Sequence, residues 1–438
     1  MKFKKFLATA FSCGLLFSSL AAASPIAQVS AQEDVTISYW GFPNFTGDSE
    51  FPVTEEYDAA LIAAFQEKYP HITVDYQKID FTDGPTKLET AIQSNTNPDV
   101  VYDAPGRVID WASKGYLVPF DEVDTATLNP SAVEASSYDG SLYLYPQGVA
   151  PFLMAVNTQI TDELDLTEML PLDDPDNPGR NWTVEEYQAF LEAVQEADET
   201  MIPAVLYSKS AAGDQGPRAF VSNLFSSWIT NDEVTEYIIN NEGGVQGLTW
   251  IQEVAPSGIL GQGTALEAKD ALEYFKSGKA ATTILYSPGL YAQDLGEEGL
   301  TARFVAFPNV DESPRYEYLV AGPAIFDNGD EARIEAAKLF VDFMINDEDW
   351  GRRTLIATGN FSAKLDDTGL YADEELLFAE TLSANFGPYY NTIAGFARIR
   401  PLWFPMLQGV LTGDVDPAEA VNTFVEEAQA IYEEEINF

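Results

Sequence analysis

A doubly wound α/β fold is what this sequence predicts, on three observations. Tyr57, Leu61, Ala64 and Phe65 recur at helical spacing within Thr54–Tyr69. Strand-forming runs flank that helix, VTISYW over Val35–Trp40 and ITVDYQKI from Ile72. The alternation continues with a helix over Lys87–Ser94 and a buried strand over Asp99–Tyr102. Strand, helix, strand, helix, strand is the order of a largely parallel sheet with helices on its faces.

Each later element follows from local signals. Pro70 stops the first helix. The strand ending at Tyr102 breaks on Pro105 and Gly106, and its loop carries Asp103 and Arg107. Ligands of open α/β sheets sit beyond the carboxyl ends of the strands, so this loop is a candidate binding element. Gly140–Asn157 is a run of strand formers broken by Pro146, Gly148 and Pro151, and reads as a strand leaving one domain for another. Thr183 and Glu186 form a capping box for a helix whose apolar face is Val184, Tyr187, Phe190, Leu191 and Val194. Further helices are expected over Arg218–Thr230, Glu233–Glu253, Ala265–Ser277 and Glu331–Asn346. AATTILYSP is a buried strand ending in Tyr286, and YEYLVAGPAIF is another. A closing helical region, Leu402–Ile436, is broken at TGDVDP.

The 438 residues hold 70 acids against 23 lysines and arginines, a formal charge of −47. A surface this negative repels nucleic acid and anionic lipid, so neither is an expected partner. Lys2, Lys4 and Lys5, an apolar run from Phe6 to Ala23, and Val29 with Ala31 read as a signal peptide over residues 1–31. Ala21–Ala23 is the second cleavage site. Cutting after Ala31 removes three lysines and no acids and leaves −50. An extracellular protein, at the outer face of the cytoplasmic membrane or cell envelope, is therefore expected. The one cysteine, Cys13, lies in the leader. Lipid anchoring through Cys13 is the alternative to free secretion, although Ala10 stands where the anchor motif usually has leucine.

The inventory of reactive groups is short. His71 is the only histidine and sits between a helix end and a strand start, so a catalytic triad or multi-histidine zinc site has little to draw on. DDPDNPG at Asp173–Gly179 fails the spacing of a calcium loop and reads as a polar turn. No cofactor or metal is expected. Asn44 and Asn181 open glycosylation sequons, which are short and often fortuitous. No phosphate-binding nucleotide loop is present. SAAGDQGPR, Ser210–Arg218, is a glycine-rich loop opening a helix, with Asp214, Gln215 and Arg218 as its polar set. No pair of carboxylates is marked by its surroundings. Aromatic residues are more telling. Trp40, Phe42, Phe45, Tyr102, Tyr145, Tyr286, Tyr291, Tyr389, Tyr390 and Trp403 stand at predicted strand ends or in loops. Sugars offer C–H faces to such rings, although aromatic side chains also dominate cores.

Taken in order, several segments resemble the extracellular solute-binding proteins of ABC importers, in the maltose-binding-protein-like group. They are VTISYWG, LIAAFQEKYPHITVDY, NPDVVYDAPG, KGYLVPFDE, DGSLYLYPQGVAPFLMAVN, FKSGKAATTI, AAKLFVDFM and GDVDPAEAVNTF. The resemblance implies a two-lobed periplasmic-binding-protein-like fold of type II, with a doubly wound sheet in each lobe and a hinge of several crossings. It implies an N-terminal lobe of 33–149 and 308–350 and a C-terminal lobe of 150–307 and 351–438. It implies a non-enzymatic, monomeric binder that delivers a carbohydrate, an oligosaccharide for preference, to the membrane permease subunits. The implied ligand residues are Trp40, Phe42, Phe45, Tyr102, Asp103, Arg107 and Tyr145 on the first lobe and its crossing. On the second lobe they are Asp214, Gln215, Arg218, Tyr286, Tyr389, Tyr390, Arg398 and Trp403, with Arg398 or Arg400 facing the cleft. VAGPAIF departs from the family, where a Gly-Gly pair is common. Two rivals keep the fold: a binder of a phosphorylated polyol such as glycerol 3-phosphate, held by Arg107, Arg218, Arg398 and Arg400, and a secreted glycosidase using two carboxylates.

Overall fold

The computed structural model describes residues 33–42, 50–80, 83–209, 213–261 and 263–437. Phe45, the Asn44 sequon, the leader and Cys13 lie outside them. The first block runs β1 (Val35–Gly41), α1 (Thr54–Lys68), β2 (Ile72–Lys78), α2 (Gly84–Gln93), β3 (Val100–Asp103), α3 (Pro105–Ser113) and β4 (Gly148–Pro151). β1 lies parallel to β2, with Val35 opposite Ile72, and parallel to β3, with Gly41 opposite Tyr102. The carboxyl ends of all three strands therefore point the same way. Alternation along β1 separates two layers. Ile37 and Tyr39 join one apolar cluster, while Trp40 and Phe42 join the other.

The chain crosses at Phe152 and enters β5 (Leu153–Asn157). The second block continues with α4 (Val184–Ala197), β6 (Ala204–Val205), α5 (Gln215–Leu224), α6 (Glu242–Val254), α7 (Ala268–Lys276), β7 (Thr282–Tyr286), α8 (Pro288–Asp294) and β8 (Ala302–Val305). β5 is the centre of an antiparallel sheet ordered β7-β5-β8. The sheet is extended by residues 202–203, whose carbonyls accept from Ala281 and Thr282 beside β7. The capping box at Thr183 and Glu186 starts α4.

A second crossing over residues 306–317 returns the chain to β9 (Tyr318–Phe326), followed by α9 (Glu331–Asn346), α10 (Trp350–Thr358) and β10 (Phe361–Ser362). β9 completes the first sheet, ordered β10-β4-β9-β3-β1-β2, with the short strand Leu117–Val118 also on β9. A third crossing leads to α11 (Glu374–Thr381), α12 (Trp403–Thr412) and α13 (Pro417–Ile436) on the second lobe.

Three expectations shift. Residues 351–363 belong to the first lobe, because Tyr57 and Thr354 hydroxyls hydrogen-bond at 3.0 Å and Phe361 pairs with Val149. The helix expected from Glu233 starts only at Glu242. Val234 is in the left-handed region (φ 55°), and Asn241 caps the helix by accepting the Gly244 N–H at 3.1 Å. The helix expected over Arg218–Thr230 runs from Gln215 and ends at Leu224, ahead of a left-handed Ser226.

Candidate functional site

The junction between the lobes is built from strand ends. On the first lobe, β1 ends at Gly41, just before Phe42, and β3 ends at Asp103; Pro105 fits the first turn of α3 because its missing N–H has no intrahelical partner there. Asp103 is buried and takes Arg107 on both oxygens, at 2.7 Å to Nε and by a second ion pair to Nη2. The guanidinium of Arg107 lies 4.9 Å from the centroid of the Phe42 ring. On the second lobe, the loop after β6 turns into α5 at Asp214. Gly213 has φ +74°, a left-handed conformation that glycine adopts without strain, and its carbonyl accepts from the Tyr207 hydroxyl.

Asp214 anchors a buried charge cluster. It pairs with Arg218 one turn along α5 and with Arg400, at 3.0 Å to Nε and 2.6 Å to Nη2. Arg218 is 1% exposed and reaches Glu317 at 2.9 and 2.5 Å and Asn391 Oδ1 at 3.2 Å. Its face stacks on Tyr390, 4.7 Å from the ring centroid. Burial works against the Arg218 charge, but Asp214 and Glu317 outweigh it and hold the guanidinium firmly protonated. Burial pushes the Glu317 carboxyl above its ordinary range, with Arg218 pulling it partly back. Glu317 lies on the second crossing, and its carbonyl accepts the Phe152 N–H of the first crossing at 2.8 Å. The cluster thus ties the second lobe to the hinge.

Tyr389 joins the two halves. Burial raises its phenol, and the charges it senses are Asp103 and Arg107 from the first lobe and Glu317 from the hinge. The backbone of Asn391 sits against Gly106 at the start of α3.

The structure therefore brings together Phe42, Asp103, Arg107, Asp214, Arg218, Tyr389 and Tyr390. Trp40 is half-buried on the Phe42 face of β1, and Gln215 opens α5. Five other expected residues are turned elsewhere. Tyr102 belongs to the cluster on the opposite face of the sheet and donates to Gln147 Oε1 at 3.0 Å. Tyr145 packs on Phe120 in that same layer. Tyr286 is fully buried between Phe275 and Phe304 and donates to Asp294 at 2.7 Å. Trp403 is buried against Phe424. Arg398 is half-exposed and pairs with Glu434 and Glu435 of α13, so Arg400 is the arginine that reaches Asp214. Glu317 and Asn391 were absent from the expected set. A charged residue between Tyr316 and Tyr318, at the start of a buried strand, was the available signal for Glu317.

Two α/β lobes, joined by three crossings and meeting through polar and aromatic residues, define the class of hinged solute-binding proteins. Residues 60–366 match the family model of the bacterial extracellular solute-binding proteins, and the chain belongs to that family. The cyclic alpha-maltosyl-1,6-maltose binding protein from Arthrobacter globiformis superposes with a TM-score of 0.74 at 16% identity, over 91% of this chain and 99% of that one. The sugar-binding protein MalE from Xanthomonas citri gives 0.72 at 17% identity, over 91% and 98%. An ABC substrate-binding protein from Listeria monocytogenes in complex with cycloalternan gives 0.67 at 18%, over 93% and 100%. At these identities the likeness is one of fold. Among the described residues no helix is long and apolar enough to cross a membrane.

Proposed function

We propose that this solute-binding protein takes a neutral carbohydrate, an oligosaccharide for preference, into the inter-lobe groove and delivers it to the permease of an ABC importer. The observation that carries the reading is charge balance. Three arginines stand at the groove, and each is met by a carboxylate: Arg107 by Asp103, Arg218 by Asp214 and Glu317, Arg400 by Asp214. Three cations against three anions leave no net charge for a phosphate. Trp40, half-buried near the end of β1, adds a ring face for sugar C–H groups to stack on. Two of the structural neighbours are a sugar-binding protein and a cyclic alpha-maltosyl-1,6-maltose binding protein, which supports the same class.

The phosphorylated-polyol reading draws on the convergence of Arg218 and Arg400, but both are already committed to Asp214. A glycosidase needs a carboxyl with a protonatable oxygen as general acid. Asp103, Asp214 and Glu317 each accept arginine N–H groups on both oxygens, which disfavours that role. Calorimetric titration with a maltose-to-maltoheptaose series, cyclic glucans and glycerol 3-phosphate tests the proposal. Saturable binding of a neutral sugar without hydrolysis supports it, and binding of the phosphate alone refutes it. Delivery as a freely secreted chain cut after Ala31, rather than one anchored through Cys13, is read from the mass of the mature N-terminus.

A further inference from the structure

Two Pro-Gly pairs recur at equivalent places in the two lobes. Pro105-Gly106 opens α3 directly after β3, and Pro288-Gly289 opens α8 directly after β7. In each, proline sits in the first turn and glycine follows it. Neither glycine has a left-handed backbone, so φ gives no reason for its lack of a side chain. The reason lies in the other lobe. A Cβ at Gly106 would stand 3.1 Å from the carbonyl oxygen and 3.4 Å from the Cβ of Asn391, which Arg218 holds on the second lobe. A Cβ at Gly289 would stand 2.7 Å from the carbonyl oxygen of Thr358, at the end of α10 on the first lobe. Gly359 packs directly on Gly289, so two backbones touch there with no side chain between them. Each lobe thus rests the bare start of one helix on the backbone of the other.

We infer that Gly106 and Gly289 are reciprocal seats on which the lobes meet, and that their missing side chains set how far the groove closes. The inference rests on the reading of that groove as the ligand cleft. The seats are positioning residues: they fix the distance between Phe42 and Arg107 on one wall and Tyr389 and the Arg218 cluster on the other. A deeper or shallower seat changes the width offered to a sugar chain without altering any ligand contact.

The Gly106–Asn391 geometry supplies a test that needs no ligand. Bonded cysteines have Cβ atoms about 3.5–4.5 Å apart, close to the 3.4 Å found here. The full chain has one cysteine, Cys13. In a Cys13→Ser background, the Gly106→Cys/Asn391→Cys pair should form a disulfide in oxidised glutathione, with loss of two hydrogens by mass and reversal by dithiothreitol. Two thiols that stay alkylatable in a folded protein under those conditions would overturn the inference. Gly289→Val gives the second measurement. Its side chain meets a backbone carbonyl, so the population should shift toward open lobes, with a larger radius of gyration in solution and about tenfold weaker binding of maltotetraose or whichever panel sugar binds. An unchanged radius in a variant that unfolds like the parent would also overturn it. If the disulfide forms and no sugar binds the parent, the seats stand and the carbohydrate reading falls.

Discussion

Replacing Asp58 by asparagine should remove the pH dependence of one local stability term. Asp58 lies on α1, 2% exposed, and accepts the Tyr76 hydroxyl at 2.5 Å. Burial raises its carboxyl from 3.8 to about 6, against a partial pull downward from the Tyr76 hydrogen bond. The folded protein therefore holds this proton more tightly than the unfolded chain does. The stability linked to it is fully present below about pH 4 and is lost as pH rises through about 6. A gap of about two pKa units corresponds to ~3 kcal/mol of stability missing at neutral pH. Asparagine cannot ionise and still accepts from Tyr76, but its amide N–H₂ gains no assured partner, a cost of ~1 kcal/mol. Asp58→Asn should thus be more stable than the parent by ~2 kcal/mol near pH 8 and less stable by ~1 kcal/mol near pH 4. Thermal unfolding of both proteins across that range is the assay, and the two curves of midpoint against pH should cross. Parallel curves, or a crossing of the opposite sense, would refute the reasoning.

Other substitutions separate the groove from its support. Asp214→Ala leaves Arg218 buried with one fewer anion, and loss of one partner of a buried ion pair typically costs about 3–5 kcal/mol; a melting temperature equal to the parent's would contradict the cluster as described. Tyr286→Phe removes only a bond to Asp294 inside the second lobe, worth about 1 kcal/mol, and sugar affinity measured by calorimetry should not change. Arg398→Ala should leave both melting temperature and affinity unchanged, since its partners lie on the outer face of α13. Trp40→Ala should weaken sugar binding severalfold through loss of a stacking face, while glycerol 3-phosphate should remain unbound.

The alternation of strand and helix was legible because it is local. β1, α1, β2 and β3 are each announced by periodicity or by a breaker such as Pro70. The direction of individual side chains was less so. β3 is buried on both faces, so VVYD carries no polar alternation to say that Tyr102 points away from the groove. Tyr286 ends a strand, which suggested a loop position, yet its ring turns inward between Phe275 and Phe304. Trp403 opens α12 and is drawn into the contact with α13. The charge cluster was legible only in part. Asp214 and Arg218 are one helical turn apart, but Arg400 and Glu317 join them from 186 and 99 residues away. Only the fold creates such a pairing. The third crossing was misplaced because α10 has no composition that assigns it to a lobe; its bond to Tyr57 does.

The route of β9 also bears on how the chain acquires its shape. β3 pairs with β1 on one edge and with β9 on the other, and β9 arrives only after the whole block from β5 to β8. As residues emerge from the N-terminus, β1, β2 and β3 can assemble early, leaving β3 as an open edge of unpaired N–H and C=O groups. More than two hundred residues separate Asp103 from Tyr318. During that interval the first lobe is a half-sheet, and the middle block is the part able to close its own sheet. The lobe that begins first therefore waits for strands made only after the middle block, and each lobe is completed by a segment from beyond the other. An incomplete chain ending before β9 presents a sticky strand edge rather than a smaller stable lobe.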